Sequence, residues 1–383
     1  MNISTNYIAE GVMVVIPVFN CKNYISDAVS SIKKQPYKKI IIILVDDGST
    51  DGSSEICDNI AKKWDGIFVI HQKNAGVSAA RNVGIEFALS ACEGHECDCY
   101  ISFLDADDAW MCNFFDVDVN HLMAGKYDLI GFQSCECNQQ FTKRNAPEHL
   151  KEGEYKGGVS AIWIHATQHF CAMLYSCEMI KKCNLRFQVG LEYTEDKVFS
   201  MSALYLADKI ILKNKLMLLN RQNYTSAMHM RSFGISYFAP IIHAYMMLDR
   251  NMAPFQNAGR KELIEGRKLA SIYVMDMADE HFSRFGSMRE FQRFFSENED
   301  RDDLIPLLNG ENPLIPANDA FLKMRCHPVK YVVVKYLKGI IYIPKRLLAK
   351  FSFIRKMRDN RRFPRACLKI KNCTKHMFLC PFS

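Results

Sequence analysis

The sequence predicts an α/β fold: a mostly parallel, Rossmann-like sheet flanked by helices, with a helical extension at the C-terminal side. Two observations carry this. Strand-length apolar runs at Val12–Phe19, Ile40–Val45, Ile67–His71 and Tyr100–Leu104 alternate with segments of helical spacing, and every run stops at polar or acidic residues. Runs apolar on both faces suit strands covered by helices on each side, as in parallel sheets. Regular alternation implies right-handed crossovers, which gather the loops that follow the strands on one rim.

Taken in order, Val12-Met-Val-Val-Ile-Pro-Val-Phe19 is the first strand, with Pro17 expected to end it and Asn20 to cap the next helix. Tyr24, Ile25, Ala28, Val29 and Ile32 then recur at helical spacing until Pro36. The second strand, Ile40–Val45, stops at Asp46-Asp-Gly-Ser-Thr-Asp-Gly52, a small and flexible loop whose amides can approach a ligand. Ser49, Thr50 or Asp51 can cap the helix Ser53–Trp64. The strand Ile67–His71 and the loop Gln72–Gly76 lead into a helix from Val77 to Leu89.

The fourth strand ends in three carboxylates within four residues, Asp105, Asp107 and Asp108. Clustered carboxylates repel unless a cation lies between them, and Mg²⁺ or Mn²⁺ favours oxygen ligands, often one or two carboxylates with the rest from phosphates. Read alone, the cluster serves equally well as an acidic turn capping the next helix.

Beyond it, a helix at Phe114–Met123, a strand at Tyr127–Gln133 and apolar segments at Val159–Ile164 and Phe170–Tyr175 are expected. Thr194 can cap a helix through Leu206, which puts Glu195 and Asp196 in its first turn, where the helix dipole alone would favour acids. Cys92, His95, Cys97 and Cys99 lack paired zinc-ligand spacing, so their stretch reads as an exposed connecting loop, and Cys135 and Cys137 read as small core or edge residues.

Composition limits the remaining classes. Residues Met1–Glu10 show no basic start or apolar signal segment, and fifteen scattered cysteines suit reduced thiols, so the expected location is cytoplasmic. No uninterrupted apolar run reaches the roughly 18 residues of a membrane span. Of the 49 basic residues 17 lie from Lys323 onward, against one of the 42 acids, which leaves the first 320 residues at −9 and the tail at +16. Such a tail asks for an anionic partner. Residues 331–350 mix aromatics and aliphatics with Lys335, Lys338 and Lys345, a pattern that suits a helix lying in a headgroup region better than a basic helix docked on the acidic body.

Val15-Ile-Pro-Val-Phe-Asn20, Val45-Asp-Asp-Gly-Ser-Thr-Asp-Gly52, Asn74-Ala-Gly-Val-Ser-Ala-Ala-Arg-Asn-Val-Gly84 and Leu104-Asp-Ala-Asp-Asp108, followed by Glu195-Asp196, closely resemble the motifs of family 2 inverting glycosyltransferases of GT-A fold, of the bacterial cell-surface polysaccharide type. The resemblance covers roughly residues 11–230. It implies a GT-A domain at 1–230, divided into a nucleotide-sugar half (1–133) and an acceptor half (134–230); beyond the resemblance, helical spacing and an acidic stretch mark an extension with a linker at 231–320, and the charge bias marks a basic tail at 321–383. The resemblance further implies that Pro17, Phe19, Asn20 and Asp47 hold the base and ribose, that Asn74 and Arg81 border the donor, and that Asp105 and Asp107 bind ribose and a Mn²⁺ or Mg²⁺ ion. Asp196 would be the catalytic base, Arg221 the arginine of a mobile loop over the diphosphate, and His229 an exposed loop residue or a further metal ligand. The activity so implied is metal-dependent, inverting transfer of a hexosyl group from a nucleotide-sugar, a UDP-sugar above all, to a hydroxyl of a lipid-linked or polysaccharide acceptor. The tail would then hold the enzyme peripherally on the inner face of the plasma membrane. The alternatives are a nucleotidyltransferase, which lacks its basic Gly-rich signature here, and a nucleic-acid-binding protein with a non-catalytic nucleotide fold.

Overall fold

The computed structural model describes residues 10–92, 98–142, 144–147, 150–157, 169–191 and 195–222. The expected segment Val159–Ile164, the Thr194 cap, His229, the 231–320 extension and the 321–383 tail lie outside the described residues.

Alternation of strand and helix holds through the first half: β1 Glu10–Val18, α1 Ile25–Lys33, β2 Ile40–Asp46, α2 Ser53–Lys63, β3 Ile67–His71, α3 Val77–Ser90 and β4 Asp98–Phe103. Then follow β5 Ala109–Trp110, α4 Val117–Ala124, β6 Leu129–Cys137, β7 Gly153–Tyr155, a 3₁₀ turn Phe170–Ala172, β8 Met173–Ser176, α5 Cys177–Lys182, α6 Glu195–Leu206 and β9 Ile210–Arg221. Among the described residues one sheet holds all nine strands in the order β3-β2-β1-β4-β8-β6-β9-β5, with β7 added beside β9.

The sheet is parallel from β3 to β4. It turns mixed where β8 inserts antiparallel between β4 and β6. Strand β9 then runs parallel to β6, with register shifts around Gln133, and pairs antiparallel with β5 and β7. The architecture is thus an α/β sheet with flanking helices, parallel on the side that carries the first three polar strand ends.

Burial explains why the first half was so readable. Met13, Val14, Val15 and Ile16 of β1 and Ile42, Ile43, Leu44 and Val45 of β2 are fully buried, so neither face offers a polar alternation. Helix α3 lies tightly on β1 because Gly84 has no side chain: a Cβ there would come within 2.2 Å of Val15 Cγ1. Pro17 lies inside β1 instead of ending it, opposite Val45. It is tolerated because the ladder to β4 has already finished at Val15, leaving β1 a single neighbour there.

Asn20 does not cap α1, whose N-cap is Tyr24 without a side-chain bond. Asn20 instead adopts φ 52° and accepts from the Thr50 amide at 2.9 Å, so it fastens the first strand-end loop to the second. Gly52, in the left-handed region, is the N-cap of α2, and Asp51 just before it accepts from the Ser53 amide at 3.0 Å. Helix α4 starts later than expected because Asp116 caps it, accepting from the amides of Asp118 and Val119.

The ten described cysteines are free thiols. Cys92 and Cys99 are buried against the main core, while residues 93–97 between them are outside the described set. Cys135 and Cys137 project from one face of β6 with their sulfurs 3.6 Å apart in a small satellite core.

Candidate active site

The C-terminal ends of β1, β2, β3 and β4 share one rim, as parallel pairing requires, and the polar loops meet there. Asp105–Asp108 forms a tight turn closed by the Asp108 amide donating to the Asp105 carbonyl at 3.0 Å. Asp105 and Asp107 are partly open, whereas Asp108 is 2% exposed.

Beneath the turn lies an aromatic cluster. Phe103, at the end of β4, packs on Phe170, Tyr175, Phe187 and Phe199 with ring centroids 5.1 to 6.0 Å away. The Arg81 guanidinium rests on Phe170 and Phe187, 4.6 and 5.1 Å from their centroids. Asn82 fixes that wall in place: its amide donates to the Phe187 carbonyl at 2.7 Å and accepts from the Phe187 amide at 2.8 Å.

Arg81 is only 4% exposed, and it spans two acids from distant parts of the chain. It donates through Nη2 to Asp105 Oδ1 and through Nη1 to Glu195 Oε1, each at 2.8 Å. Burial works against the cation, but Asp105 and Glu195 more than compensate and hold it firmly protonated. Burial pushes the Glu195 carboxyl upward, with Arg81 opposing. Asp196, the next residue in the first turn of α6, is partly open and accepts from the Lys197 amide at 2.8 Å.

A second buried network flanks the acids. Asn220 Nδ2 lies 3.3 Å from both Asp108 Oδ2 and His169 Nε2, and His169 Nδ1 accepts from the Cys171 amide. Burial pushes His169 down, so the ring is neutral, and burial with the charges of Asp105 and Asp107 pushes Asp108 up. His169 is not legible as a site residue from sequence, because a lone histidine in a weakly patterned stretch signals nothing until the fold brings Asn220 to it.

Among the described residues no group of three His, Cys, Asp or Glu side chains is arranged to hold a metal by itself. Asp105 and Asp107 nevertheless fit a divalent ion of the Mg²⁺ or Mn²⁺ kind. They are two partly open oxygen donors, and such an ion takes its other ligands from phosphates and water.

The sequence model of the family described as "Glycosyl transferase family 2" matches residues 13–183, which contain the four strand ends and Asp105–Asp108. Residues 13–183 are a family 2 glycosyltransferase domain. The chain is 28% identical over 206 residues to "Uncharacterized glycosyltransferase EpsJ" of Bacillus subtilis, covering 50% of this chain and 55% of that protein. It is 43% identical over 101 residues to "Glycosyltransferase GlyG" of Streptococcus pneumoniae, covering 26% of this chain and 31% of the relative. The match to "Glycosyltransferase GlyA" of the same species, 42% over 99 residues, covers 26% of this chain and 13% of that protein. The chain therefore spans little more than half of the first relative and under a third of the other two. In fold it resembles S. aureus TarS 1-349 in complex with UDP-GlcNAc, with a TM-score of 0.64 at 18% identity over 86% of this chain and 92% of that one.

Within the transferase domain the expected donor residues divide into open and occupied groups. Phe19 is 48% exposed at the rim, and Asn20 and Asn74 are exposed beside it. Asp47, by contrast, is 3% exposed, and its carboxylate accepts from Gln72 Nε2 and the amides of Ala75 and Gly76 at 2.7 to 2.9 Å. It therefore shapes the 72–76 loop. Arg81 is an interior strut, bonded to Asp105 and Glu195. Arg221 is the last residue of β9 and not part of a loop, and it is 8% exposed.

Asp46 and His71 stabilise the same rim. His71 Nδ1 lies 2.9 Å from Asp46 Oδ2 and its Nε2 lies 3.0 Å from Asp58 Oδ1. Both carboxylates hold the imidazole above its ordinary range; for Asp46, burial acts upward but hydrogen bonds from Ser49, Ser54 and His71 prevail and hold it low. A raised His71 stabilises the fold fully below its unfolded value, near 6.5, and loses that contribution as pH rises through the folded value. A depressed Asp46 contributes above its unfolded value, about 3.9, and loses it as pH falls. The pair is thus strongest between about pH 4 and 6.5. His71→Gln is expected to lower the urea midpoint clearly at pH 5.5 and less at pH 8.5; an equal loss at both would contradict the assignment.

Proposed function

We propose that the protein transfers a sugar, with inversion, from a nucleotide-sugar to a hydroxyl of a lipid-linked or polysaccharide acceptor in cell-surface glycan synthesis. The observation that carries this reading is the junction of Asp105 with Glu195-Asp196 through Arg81. It supports the reading because it joins Asp105 to the helix start that carries the partly open Asp196, although 90 residues separate Asp105 from Glu195 in sequence. Phe19, Asn20 and Asn74 are open to a base and ribose, with Pro17 inside β1 just before Phe19 and Asp47 shaping the 72–76 loop. The fold likeness to a protein whose structure contains UDP-GlcNAc makes UDP-sugars the first donors to test.

The chemistry follows from the residue types. Departure of a nucleoside diphosphate builds charge on its oxygens, and a divalent ion held by Asp105 and Asp107 supplies the Lewis acidity that stabilises it. Arg81 orients Asp105 through the Nη2–Oδ1 hydrogen bond. Asp196 takes the proton from the attacking hydroxyl as the new bond forms on the face opposite the leaving group. One carboxylate base is enough for inversion, and Glu195, neutralised by Arg81, is left to orient the start of α6.

Asp196→Asn is expected to keep Mn²⁺-dependent binding of UDP, the nucleotide probe, and lose at least about 100-fold in transfer, the usual scale of a general base. Asp107→Ala should weaken that binding. Calorimetry with UDP and Mn²⁺, beside turnover with a panel of nucleotide-sugars, separates the two, and full turnover by Asp196→Asn would remove the base assignment.

The +16 charge of the tail supports a peripheral attachment to an anionic bilayer, where a lipid-linked acceptor would be met. Lys335→Glu, Lys338→Glu and Lys345→Glu together should release the full-length protein from phosphatidylglycerol vesicles in flotation. Unchanged flotation would refute the attachment.

A further inference from the structure

We propose that Arg221 is a positioning residue that sets the Asp105–Asp108 turn from the end of β9, in place of the diphosphate-closing role its sequence context implies. This rests on reading Asp105 and Asp107 as the donor-side acids. Arg221 grips two consecutive residues of the turn. Its backbone amide donates to Asp108 Oδ1 at 2.8 Å, and its Nε donates to the Asp107 carbonyl at 2.6 Å. The neighbouring Asn220 side chain meets the other Asp108 oxygen at 3.3 Å.

The rest of the guanidinium is also committed. Nη2 donates to Asp27 Oδ2 on α1 at 3.0 Å, Nη1 donates to the Gln139 carbonyl, and the plane lies 4.2 Å from the Phe141 centroid and 5.0 Å from that of Tyr24. Each of the three guanidinium nitrogens therefore has an acceptor, and the group is 8% exposed, so reaching a diphosphate would require breaking these contacts. Holding the Asp107 carbonyl fixes the peptide plane between Asp107 and Asp108, and with it the direction from which the Asp107 carboxylate leaves the backbone. A planar fork can serve three separate acceptors at once. A lysine ammonium presents its three donors from one nitrogen and cannot span acceptors spread around the fork.

The test uses full-length Arg221→Lys and two readouts. In the free protein, amide exchange of the peptide containing Asp105–Ala109 is expected to rise about tenfold, while β1 and β2 keep their protection. In the presence of UDP, Mn²⁺ affinity is expected to weaken about 10-fold or more, the scale seen when outer partners of a metal ligand are lost, while UDP affinity in EDTA stays the same. Unchanged exchange at the turn, or an equal loss of UDP affinity with and without Mn²⁺, overturns the proposal, the second because it is the signature of direct phosphate contact. If the wild-type protein binds no UDP with Mn²⁺, the donor reading fails and the exchange measurement alone decides the role of Arg221. Should Arg221→Lys not fold, Asp27→Asn, at a side chain 61% exposed, removes one arm of the clamp. It should raise exchange at the same turn about threefold, and wild-type exchange there would overturn the proposal.

Discussion

A buried guanidinium between two carboxylates is the constraint on which the site depends. Arg81 is nearly closed to solvent, and moving such a cation out of water costs several kcal/mol unless geometry and hydrogen bonds compensate. Asp105 and Glu195 compensate, each at 2.8 Å, and the faces of Phe170 and Phe187 fill the remaining space. Removing either acid would leave an underpaired buried charge, so the end of β4 and the start of α6 are tied energetically as well as spatially. This is how a strand in the middle of the family domain is tied to a helix that begins after residue 183.

The sheet supports that tie. Its parallel portion delivers four strand ends to one rim, and the antiparallel insertion of β8 brings the Phe170 turn against β4. Asp47, Asn20 and Asn82 then join loops across the rim by side-chain to backbone hydrogen bonds, the form of support that fixes a site without adding bulk. Strand β9 closes the other flank through Asn220 and Arg221. Open groups and supporting groups are thereby separated: Phe19, Asn74, Asp105, Asp107 and Asp196 meet solvent, while Asp47, Arg81, Asp108 and Arg221 hold them.

Much of the first half was legible in the sequence because its strands are buried on both faces and its breaks carry Gly, Asp and Asn. Strand β9 was not, since Ile210-Ile-Leu-Lys-Asn-Lys-Leu-Met217 mixes charge with apolar residues and follows the preceding helix closely, with no strong turn signal. Nor was the direction of β8, which depends on partners 42 to 76 residues away. The site residues were legible as types, but their exposure was not. The burial of Arg81 is not legible until Phe170, Phe187 and Glu195 are brought around it, and Asp47 reads as ligand-facing until the 72–76 loop folds over its oxygens.

A double-mutant cycle on the Arg81 bridge tests the account most directly. Arg81→Met, which keeps the packing on Phe170 and Phe187, is expected to lower unfolding free energy by about 3–5 kcal/mol in the wild-type protein. In an Asp105→Asn, Glu195→Gln background the same change should cost no more than about 1 kcal/mol, because no buried acids are left unpaired. An equal loss in both backgrounds, measured by urea unfolding, would show that the bridge does not join the two halves of the site.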